Sequence, residues 1–184
     1  MNTEAKKQVF EECLDLSPLG FVPLRVHFQN GKLIRITLES IEQKRPTNCS
    51  ADIYAPFLKG LLTGMALEKF PVPFKLTGSP FQRHVWHLTM AIKHGETKTY
   101  GQLAKAASCA SAQAVGQALK KNPLPIIVPC HRVVGKKGEL TGFSAGIEIK
   151  RILLQFERMT SYENSSNERQ PRPPLESEDS CKRG

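Results

Sequence analysis

The chain has 184 residues, of which 40% are hydrophobic, so it is long enough to bury one good core or two small domains that share one. Six charged side chains in the first twenty residues argue against a signal peptide, and no window is apolar for long enough to span a bilayer. The net charge of +9 is concentrated in residues 76–159, which hold twelve basic and four acidic side chains; such a cluster suits a polyanion, although solubility alone would also explain it.

The N-terminal part predicts a hairpin followed by a helix. Alternating apolar residues over 21–40 flank Asn30-Gly31, a favoured two-residue turn, and the residues expected to face the core are Leu33, Ile36 and Leu38. Residues 56–69 repeat apolar side chains at helical spacing, at Phe57, Leu58, Leu61, Leu62 and Met65. The proline- and glycine-rich stretch 70–79 then predicts a linker.

The second part predicts mainly helices. Ser79 is the expected N-cap of a helix that Gly95 ends, and two short helices over 99–107 and 111–121 fit a helix-turn-helix. The small residues of the second short helix suit close packing, against either the protein or DNA. Prolines then stiffen the buried run 126–128, and a last helix is expected over about 147–158.

The predicted fold class follows from these elements. We expect an α/β N-terminal domain over residues 1–75, made of a small antiparallel sheet and a helix. A mainly α C-terminal domain with a helix-turn-helix would cover residues 76–159. The polar, proline-containing residues 160–184 are expected to form a disordered tail, because they cannot bury enough apolar surface to become ordered.

The five cysteines bear on compartment and chemistry. Their odd number, without a CxxC pair, argues against a disulfide framework and favours a reduced, intracellular protein. Cys13, Cys49 and Cys109 are expected to be small apolar fillers, and Cys181 lies in the predicted tail. Cys130 differs, because it stands in the stiff sequence "PCHRVV".

A nucleophilic cysteine needs a lowered pKa and a nearby base. His131 is adjacent to Cys130, and a link between the two side chains would run through a water molecule. Arg132 and the local positive charge are expected to favour the thiolate. Glu157 lies at the edge of the apolar face of the last helix, where it could orient the imidazole or be a surface charge; the spacing leaves both readings open.

Four segments resemble one known family: "FQRHVW", "GETKTYGQLA", "AVGQALKKNPLPIIVPCHRVVG" and "GFSAGIEIKRILLQFE". They are similar to the O6-alkylguanine-DNA alkyltransferases, also called methylated-DNA–protein-cysteine methyltransferases. The resemblance is strong over about residues 76–158. It is weaker over "SPLG" at 17–20 and the hairpin that follows.

The resemblance implies a reaction and a role for each matching residue. Cys130 would accept a methyl or other alkyl group from the O6 of guanine, or the O4 of thymine, in duplex DNA, once and irreversibly, after the base is flipped out. His131 would take the thiol proton through a water molecule, and Glu157 would orient His131. Asn122 would tie the helix-turn-helix to the active-site strand, and Tyr100 would donate a hydrogen bond to the flipped base.

The resemblance also implies a substrate pocket and a DNA-binding helix. The backbone carbonyls of Cys130 and Val133 would accept from the guanine amine, and the N–H of Ser144 would donate to the alkylated oxygen. Phe143 would form an apolar wall. The helix from Ser111 would lie in the minor groove, and its expected DNA-binding residues are Ser111, Ala112, Gln113, Gly116, Lys120 and Lys121.

Two residues depart from the family's usual pattern. Gln113 stands where an arginine usually fills the space left by the flipped base, so weaker DNA binding or slower extrusion is expected than an arginine would give. Phe143 replaces a frequent tyrosine, which keeps the apolar wall and loses a hydroxyl. Some members bind zinc, but His27 and Cys13 show no familiar ligand spacing, so no metal and no cofactor are expected.

The expected partner is double-stranded DNA bearing O6-alkylguanine, bound by a monomer that has no membrane contact. Three rival functions remain open. A non-catalytic sensor of alkylated DNA would lack the acceptor cysteine, which this chain keeps. A helix-turn-helix regulator would leave Cys130, His131 and Glu157 without a role, and a thiol hydrolase or redox enzyme would turn over many times.

Overall fold

The computed structural model describes residues 6–47 and 53–167. Its first half is an antiparallel sheet followed by a helix: β1 Lys7–Asp15, β2 Phe21–Gln29, β3 Lys32–Leu38 and α1 Ala55–Leu62. Its second half is mainly helical: α2 Pro80–Met90, β4 Lys98–Thr99, α3 Tyr100–Ala106, α4 Ala112–Lys120, β5 Val133–Val134 and α5 Ile147–Asn167. The predicted fold class is therefore confirmed.

The β2–β3 hairpin forms as predicted. Asn30 and Gly31 have φ values of 53° and 72°, which a two-residue hairpin turn of this hand requires. A register shift in the pairing lets Val26 face Ile36 while Phe28 faces Leu33, so β3 carries one extra residue between them. This bulge explains how Leu33, Ile36 and Leu38, whose spacing breaks strict alternation, all reach the core.

Helix α1 is shorter than the sequence predicted. It ends at Leu62, and Gly64 then takes a φ of 95° before a separate 3-10 turn over Leu67–Lys69. A left-handed glycine is a common helix stop, and the amide of Met65 bonds back to the carbonyl of Gly60 at 2.8 Å. Phe57, one of the apolar residues of the predicted helix, is 36% exposed.

A buried carboxylate caps helix α1 from the neighbouring strand. Glu12 of β1 is 0% exposed, and its oxygens accept the amides of Ile53, Tyr54 and Ala55 at 2.5–3.2 Å. The N-cap residue, Tyr54, offers no capping side chain of its own. Glu12 therefore satisfies amides that the first turn of a helix would otherwise leave without a partner.

We expect Glu12→Ala to lower the free energy of unfolding by about 2–4 kcal/mol, because it leaves several buried amides without a hydrogen-bond acceptor. Chemical denaturation measures the change. The matched control is Glu11→Ala, which removes an exposed carboxylate from the same strand and should cost no more than about 0.5 kcal/mol. Equal losses in the two variants would contradict the capping role.

The helices of the second half begin where their caps predict. Ser79 and Gln82 form a reciprocal capping box at the start of α2, and Thr99 and Gln102 form another at α3. The hydroxyl of Ser111 accepts the amide of Ala114 at 3.1 Å and starts α4. Helix α2 ends at Met90 rather than near Gly95, so the loop that follows it is longer than expected.

A short parallel pairing that the sequence did not predict brings two distant segments together. β4 pairs with β5, with Lys98 opposite Val133 and Thr99 opposite Val134. Because α3 begins directly after β4, Tyr100 is placed beside the segment that follows Cys130. Two residues on each side are too few to leave a periodic signal in the sequence.

Two apolar clusters form the core, and the segment 122–134 joins them. Leu124, Ile126 and Ile127 pack in the cluster of the sheet, α1 and α5, whereas Val128 and Cys130 pack in the cluster of α2, α3 and α4. Residues 126–128 are buried as predicted, but they form a tight turn rather than an extended run, with Ile126 at a φ of 75°.

Helix α5 extends beyond its predicted end. It continues to Asn167, so the first residues of the predicted tail, 160–167, are helical. Residues 168–184, with Cys181, lie outside the described part of the chain, as does Cys49. The division into domains at residue 75 remains a prediction. Among the residues described, no helix is both long and apolar enough to cross a lipid bilayer.

Candidate active site

The thiol of Cys130 is buried at the junction of the two apolar clusters. Pro129 precedes a single 3-10 turn, Cys130–Arg132, and the Cys130 residue is only 5% exposed. The same turn directs His131 and Arg132 into the interior, where they are 0% and 7% exposed. Three consecutive residues with reactive or charged side chains are thus all buried, which is rare without a functional or pairing reason.

Asn122 holds the thiol from the end of the helix-turn-helix. Its side-chain amide nitrogen donates to the carbonyl of Val128 at 2.9 Å and to the sulfur of Cys130 at 3.2 Å. Its side-chain oxygen accepts the amide of Leu124 at 2.9 Å. Because Asn122 comes just after α4, these bonds connect that helix directly to the cysteine.

A buried histidine–glutamate–arginine cluster includes the two residues that follow the cysteine in sequence. Nε2 of His131 is 2.8 Å from Oε1 of Glu157, and the guanidinium of Arg132 donates to both oxygens of that carboxylate at 2.8–3.0 Å. Arg132 also donates to the carbonyl of Ile92 at 2.6 Å. Glu157 is 1% exposed, so the reading of it as a surface charge is wrong.

The electrostatics of this cluster keep His131 a neutral base and Glu157 an anion. Burial lowers the pKa of His131, the charge of Glu157 opposes that shift, and Arg132 and Lys150 add to it. For Glu157, burial alone would raise the pKa, but the interactions with His131 and Arg132 bring it down to about 2. Nδ1 of His131 is buried and has no hydrogen-bond partner among the described protein atoms.

The cation that acts on the thiol is Lys150, which the sequence analysis missed. Burial raises the pKa of Cys130 above its ordinary value, and the hydrogen bond from Asn122 and the charge of Lys150 reverse only part of that rise. Arg132, which we expected to favour the thiolate, is instead committed to Glu157. A signal was present: Lys150 precedes Leu153 by three residues and Glu157 by seven, so it lies on the apolar face of α5.

Lys150 is fully buried and ties three segments together. Its ammonium donates to the carbonyl of Val133 at 2.6 Å and to that of Thr141 at 2.7 Å, and it lies 5.6 Å from the centre of the Tyr100 ring. Burial lowers the pKa of Lys150 to about 8, and the charge of Cys130 opposes that shift.

Tyr100 joins helix α3 to the loop before α5. Its hydroxyl donates to the carbonyls of Thr141 and Gly142 at 2.9 and 3.1 Å. Burial raises the pKa of Tyr100, the hydrogen bond to Thr141 opposes the shift, and the charge of Cys130 adds to it. The phenol therefore keeps its proton at neutral pH, and it has to exchange a backbone partner before it can donate to a ligand.

A cavity of about 510 Å³ opens between α4 and the loop that carries Tyr100's partners. The residues that line it are Tyr100, Ala112, Gln113, Gly116, Gln117, Lys120, Thr141, Gly142, Phe143 and Ser144. Seven residues named as candidate sites therefore meet at one cavity, which we call the lesion cavity. It has the size of an ordinary small-molecule site.

The other seven candidate residues lie elsewhere, and three of them, Asn122, His131 and Glu157, form the buried contacts described above. Cys130 and Val133 do not line the lesion cavity; they lie in the apolar cluster against which Tyr100 and Phe143 pack. Ser111 serves as the N-cap of α4, and Lys121 lines a different groove, beside β3.

The structure gives no candidate metal centre within residues 6–47 and 53–167, where no group of three or more histidine, cysteine or acidic side chains could hold an ion. Among the cysteines of those residues, Cys13 is buried as expected, whereas Cys109 is partly exposed. The expectation that the protein uses no metal or cofactor remains a prediction.

Comparison with known proteins gives a consistent family. The family described as "6-O-methylguanine DNA methyltransferase, DNA binding domain" matches residues 80–159. Methylated-DNA–protein-cysteine methyltransferases of Methanosarcina acetivorans and Haemophilus influenzae are 46% and 42% identical over 92 and 102 residues, which is 50% and 55% of this chain. The chain spans only 59% and 57% of the length of these two relatives.

Solved structures extend the similarity over both halves of the fold. The crystal structure of Mycobacterium tuberculosis OGT in complex with DNA is 35% identical, with a TM-score of 0.63, over 82% of this chain and 94% of that one. The O6-methylguanine-DNA methyltransferase of Pyrococcus kodakaraensis is 31% identical, with a TM-score of 0.65, over 82% and 99%.

The fold and the site define a protein with a small antiparallel sheet and a helix-turn-helix, in which a buried cysteine accepts a hydrogen bond from an asparagine and is followed in sequence by a histidine that pairs with a glutamate. The chain belongs to the O6-methylguanine-DNA methyltransferase family.

Proposed function

We propose that this protein repairs DNA by transferring an alkyl group from the O6 of guanine to the sulfur of Cys130. The observation that carries the proposal is the hydrogen-bonded series from Asn122 to Cys130, with the His131–Glu157 pair beside it. This cluster lies next to a cavity at the helix-turn-helix. The rival functions of sensor and regulator do not need this buried cluster.

The proposed reaction begins with the removal of the thiol proton. Nδ1 of neutral His131 accepts it through a water molecule, while Glu157 holds the other ring nitrogen and stabilises the imidazolium that forms. Asn122 and Lys150 stabilise the resulting thiolate. These two groups reduce, without cancelling, the rise in the pKa of Cys130 that burial causes.

The second step moves the alkyl group. The sulfur of Cys130 attacks the alkyl carbon, the bond from that carbon to O6 breaks, and its electron pair leaves with the guanine. Tyr100 supplies a hydrogen bond or proton to the departing base and gives up its bonds to the loop carbonyls. The product is a thioether without a labile bond at neutral pH, so each chain reacts once.

The base must leave the duplex to reach the sulfur. We propose that it enters through the lesion cavity, with Phe143 against its face and the amide of Ser144 donating to O6. The carbonyls of Val133 and Cys130 then accept from the exocyclic amine. The carbonyl oxygen of Val133 already accepts a hydrogen bond from Lys150. Because a carbonyl oxygen has two lone pairs, it can also accept one from the guanine amine.

The proposed DNA-binding face is the exposed side of α4. Ala112 and Gln113 are exposed and line the lesion cavity, and Gln113 would fill the gap left by the flipped base. A Cβ atom at Gly116 would meet only ordinary contacts with Tyr100, at 3.8 Å, so packing within the protein does not require this glycine. Because Gly116 has no side chain, the surface of α4 can instead approach a minor groove closely.

We further propose that the partner is duplex DNA with O6-alkylguanine, bound by a monomer. The proposed second substrate of the same chemistry is O4-alkylthymine. The compartment would follow the DNA: the cytoplasm in a bacterium, the nucleus in a eukaryote.

One assay tests the function. The full chain is incubated with duplex DNA carrying isotopically labelled O6-methylguanine, and the label is located by peptide mass. The expected result is at most one methyl group per chain, on Cys130. None is expected in Cys130→Ala, whereas Cys109→Ala, which removes a partly exposed cysteine, should react normally. Multiple turnover, label on another residue, or binding without transfer would overturn the proposal.

A further inference from the structure

A second groove, of about 400 Å³, separates strand β3 from the end of α4. We call it the junction groove. It lies where the sheet meets the helix-turn-helix, at the bond from the amide of Ile36 to the carbonyl of Pro123, 2.8 Å long. The residues that line it are Arg35, Ile36, Thr37, Leu38, Lys120, Lys121, Asn122, Pro125, Ser144 and Ala145.

The junction groove carries concentrated positive charge. Arg35, Lys120 and Lys121 are all exposed, and no acidic residue is among those described as lining it. None of the three forms an ion pair with a carboxylate in the described part of the chain. Arg25, on the adjacent strand, shows the contrast, because Glu11 and Glu39 both pair with it. The cations of the junction groove are therefore available to an external anion.

The junction groove continues the lesion cavity. Lys120 and Ser144 line both, so the two form one path from the lesion toward the sheet. From Gln113 to Lys120 the path follows α4 for about 10 Å at 1.5 Å per residue. A DNA strand advances 3.4 Å per nucleotide, so that distance corresponds to about three base steps.

We propose that strand β3 adds a DNA-backbone contact to the helix-turn-helix, in which Arg35 and Lys121 bind a phosphodiester about three steps from the lesion. This inference rests on the proposed function, because it assumes that α4 lies against DNA. The competing explanation is that Lys120 and Lys121 only offset the negative end of the α4 dipole and that Arg35 only improves solubility.

Salt dependence of binding separates the two explanations. The affinity of the full-length protein for a duplex carrying O6-methylguanine is measured by fluorescence anisotropy over a series of KCl concentrations. Arg35→Ala should weaken binding about threefold and reduce the slope of log affinity against log salt by about 0.9, the loss of one phosphate contact. Undamaged duplex of the same length should show the same changes.

The matched control is Lys32→Ala, which removes an exposed cation from the same strand outside the junction groove and should leave the slope unchanged. Shortening the duplex on one side of the lesion should abolish the effect of Arg35→Ala; shortening it on the other side should not. Equal slopes for Arg35→Ala and wild type, or equal losses for Arg35→Ala and Lys32→Ala, would overturn the inference. Transfer of one methyl group to wild-type Cys130 tests the proposed function separately.

Discussion

Replacing Glu157 with glutamine is expected to slow alkyl transfer by about a hundredfold or more and to lower the free energy of unfolding by about 3–5 kcal/mol. The stability loss comes from Arg132, whose buried guanidinium donates to Glu157 and would keep its charge without a counter-charge. Breaking a buried ion pair by removing one partner is among the most costly single changes in a protein.

The rate loss has a different cause. The charge of Glu157 raises the pKa of His131 against the effect of burial, so its removal makes the imidazole a weaker base. Glutamine can also donate to Nε2, which would favour the wrong tautomer and leave the proton on Nδ1. His131 stays neutral at pH 7 in both proteins, so the fall in rate at that pH reflects a weaker base and the wrong tautomer rather than protonation of the imidazole.

Acid titration gives an independent check on stability. Because the folded-state pKa of Glu157 is lowered to about 2, its stabilisation is complete above its ordinary value of 4.5 and is lost as the pH falls toward 2. That shift corresponds to about 3 kcal/mol. Denaturation from pH 7 down to pH 2 should therefore show a shallower decline for Glu157→Gln than for wild type.

The control for Glu157 is Glu148→Gln, in the same helix. Glu148 pairs with Arg151 on the surface, where both side chains are more than half exposed, so its loss should change stability by no more than about 0.5 kcal/mol. If Glu157→Gln behaved like this surface control in both stability and transfer rate, the buried cluster would have neither the structural nor the chemical role assigned to it.

Local signals in the sequence predicted most of the fold. The Asn30-Gly31 turn and the caps Ser79, Thr99 and Ser111 each act within a few residues, so the chain itself shows where the hairpin and three helices begin. Helix ends were less predictable, as in α1. The apolar pattern continues past Gly64, while the backbone turns there because glycine readily adopts a positive φ.

Long-range pairing limited what could be predicted of the site. Asn122, Cys130 and His131 are close in sequence, and their resemblance to a family gave them roles before any geometry was known. The position of Glu157 beside His131 depends on how α5 packs across the junction, and spacing alone left it open. The capping of α1 by Glu12, more than forty residues away, left no sequence signal that we recognised.

Lys150 yields the second major prediction, in which chemistry and stability respond differently. Lys150→Met should slow alkyl transfer at neutral pH about tenfold, because the pKa of Cys130 rises further once the buried charge is gone and less thiolate is present. Stability should change far less than in Glu157→Gln. Burial of the ammonium lowers the pKa of Lys150 from 10.5 to about 8, so its charge is held at a cost of about 3 kcal/mol at pH 7.

Because burial lowers the pKa of Lys150, the free energy of unfolding depends on pH. Between about pH 8 and 10.5 the unfolded chain binds the proton that the folded chain has released, so wild-type stability should rise across this window, and Lys150→Met should lack the rise. Loss of the bonds to Val133 and Thr141 offsets part of the gain from removing the charge.

Reactivity of the thiol can be measured without DNA. Alkylation of Cys130 by iodoacetamide, followed by peptide mass over a range of pH, should show a higher apparent thiol pKa in Lys150→Met. Arg151→Met, which removes the exposed neighbouring cation, should match wild type. An unchanged profile in Lys150→Met would mean that Lys150 only supports the loop. A raised thiol pKa with little loss of stability would explain why a costly buried charge is kept: it makes Cys130 reactive.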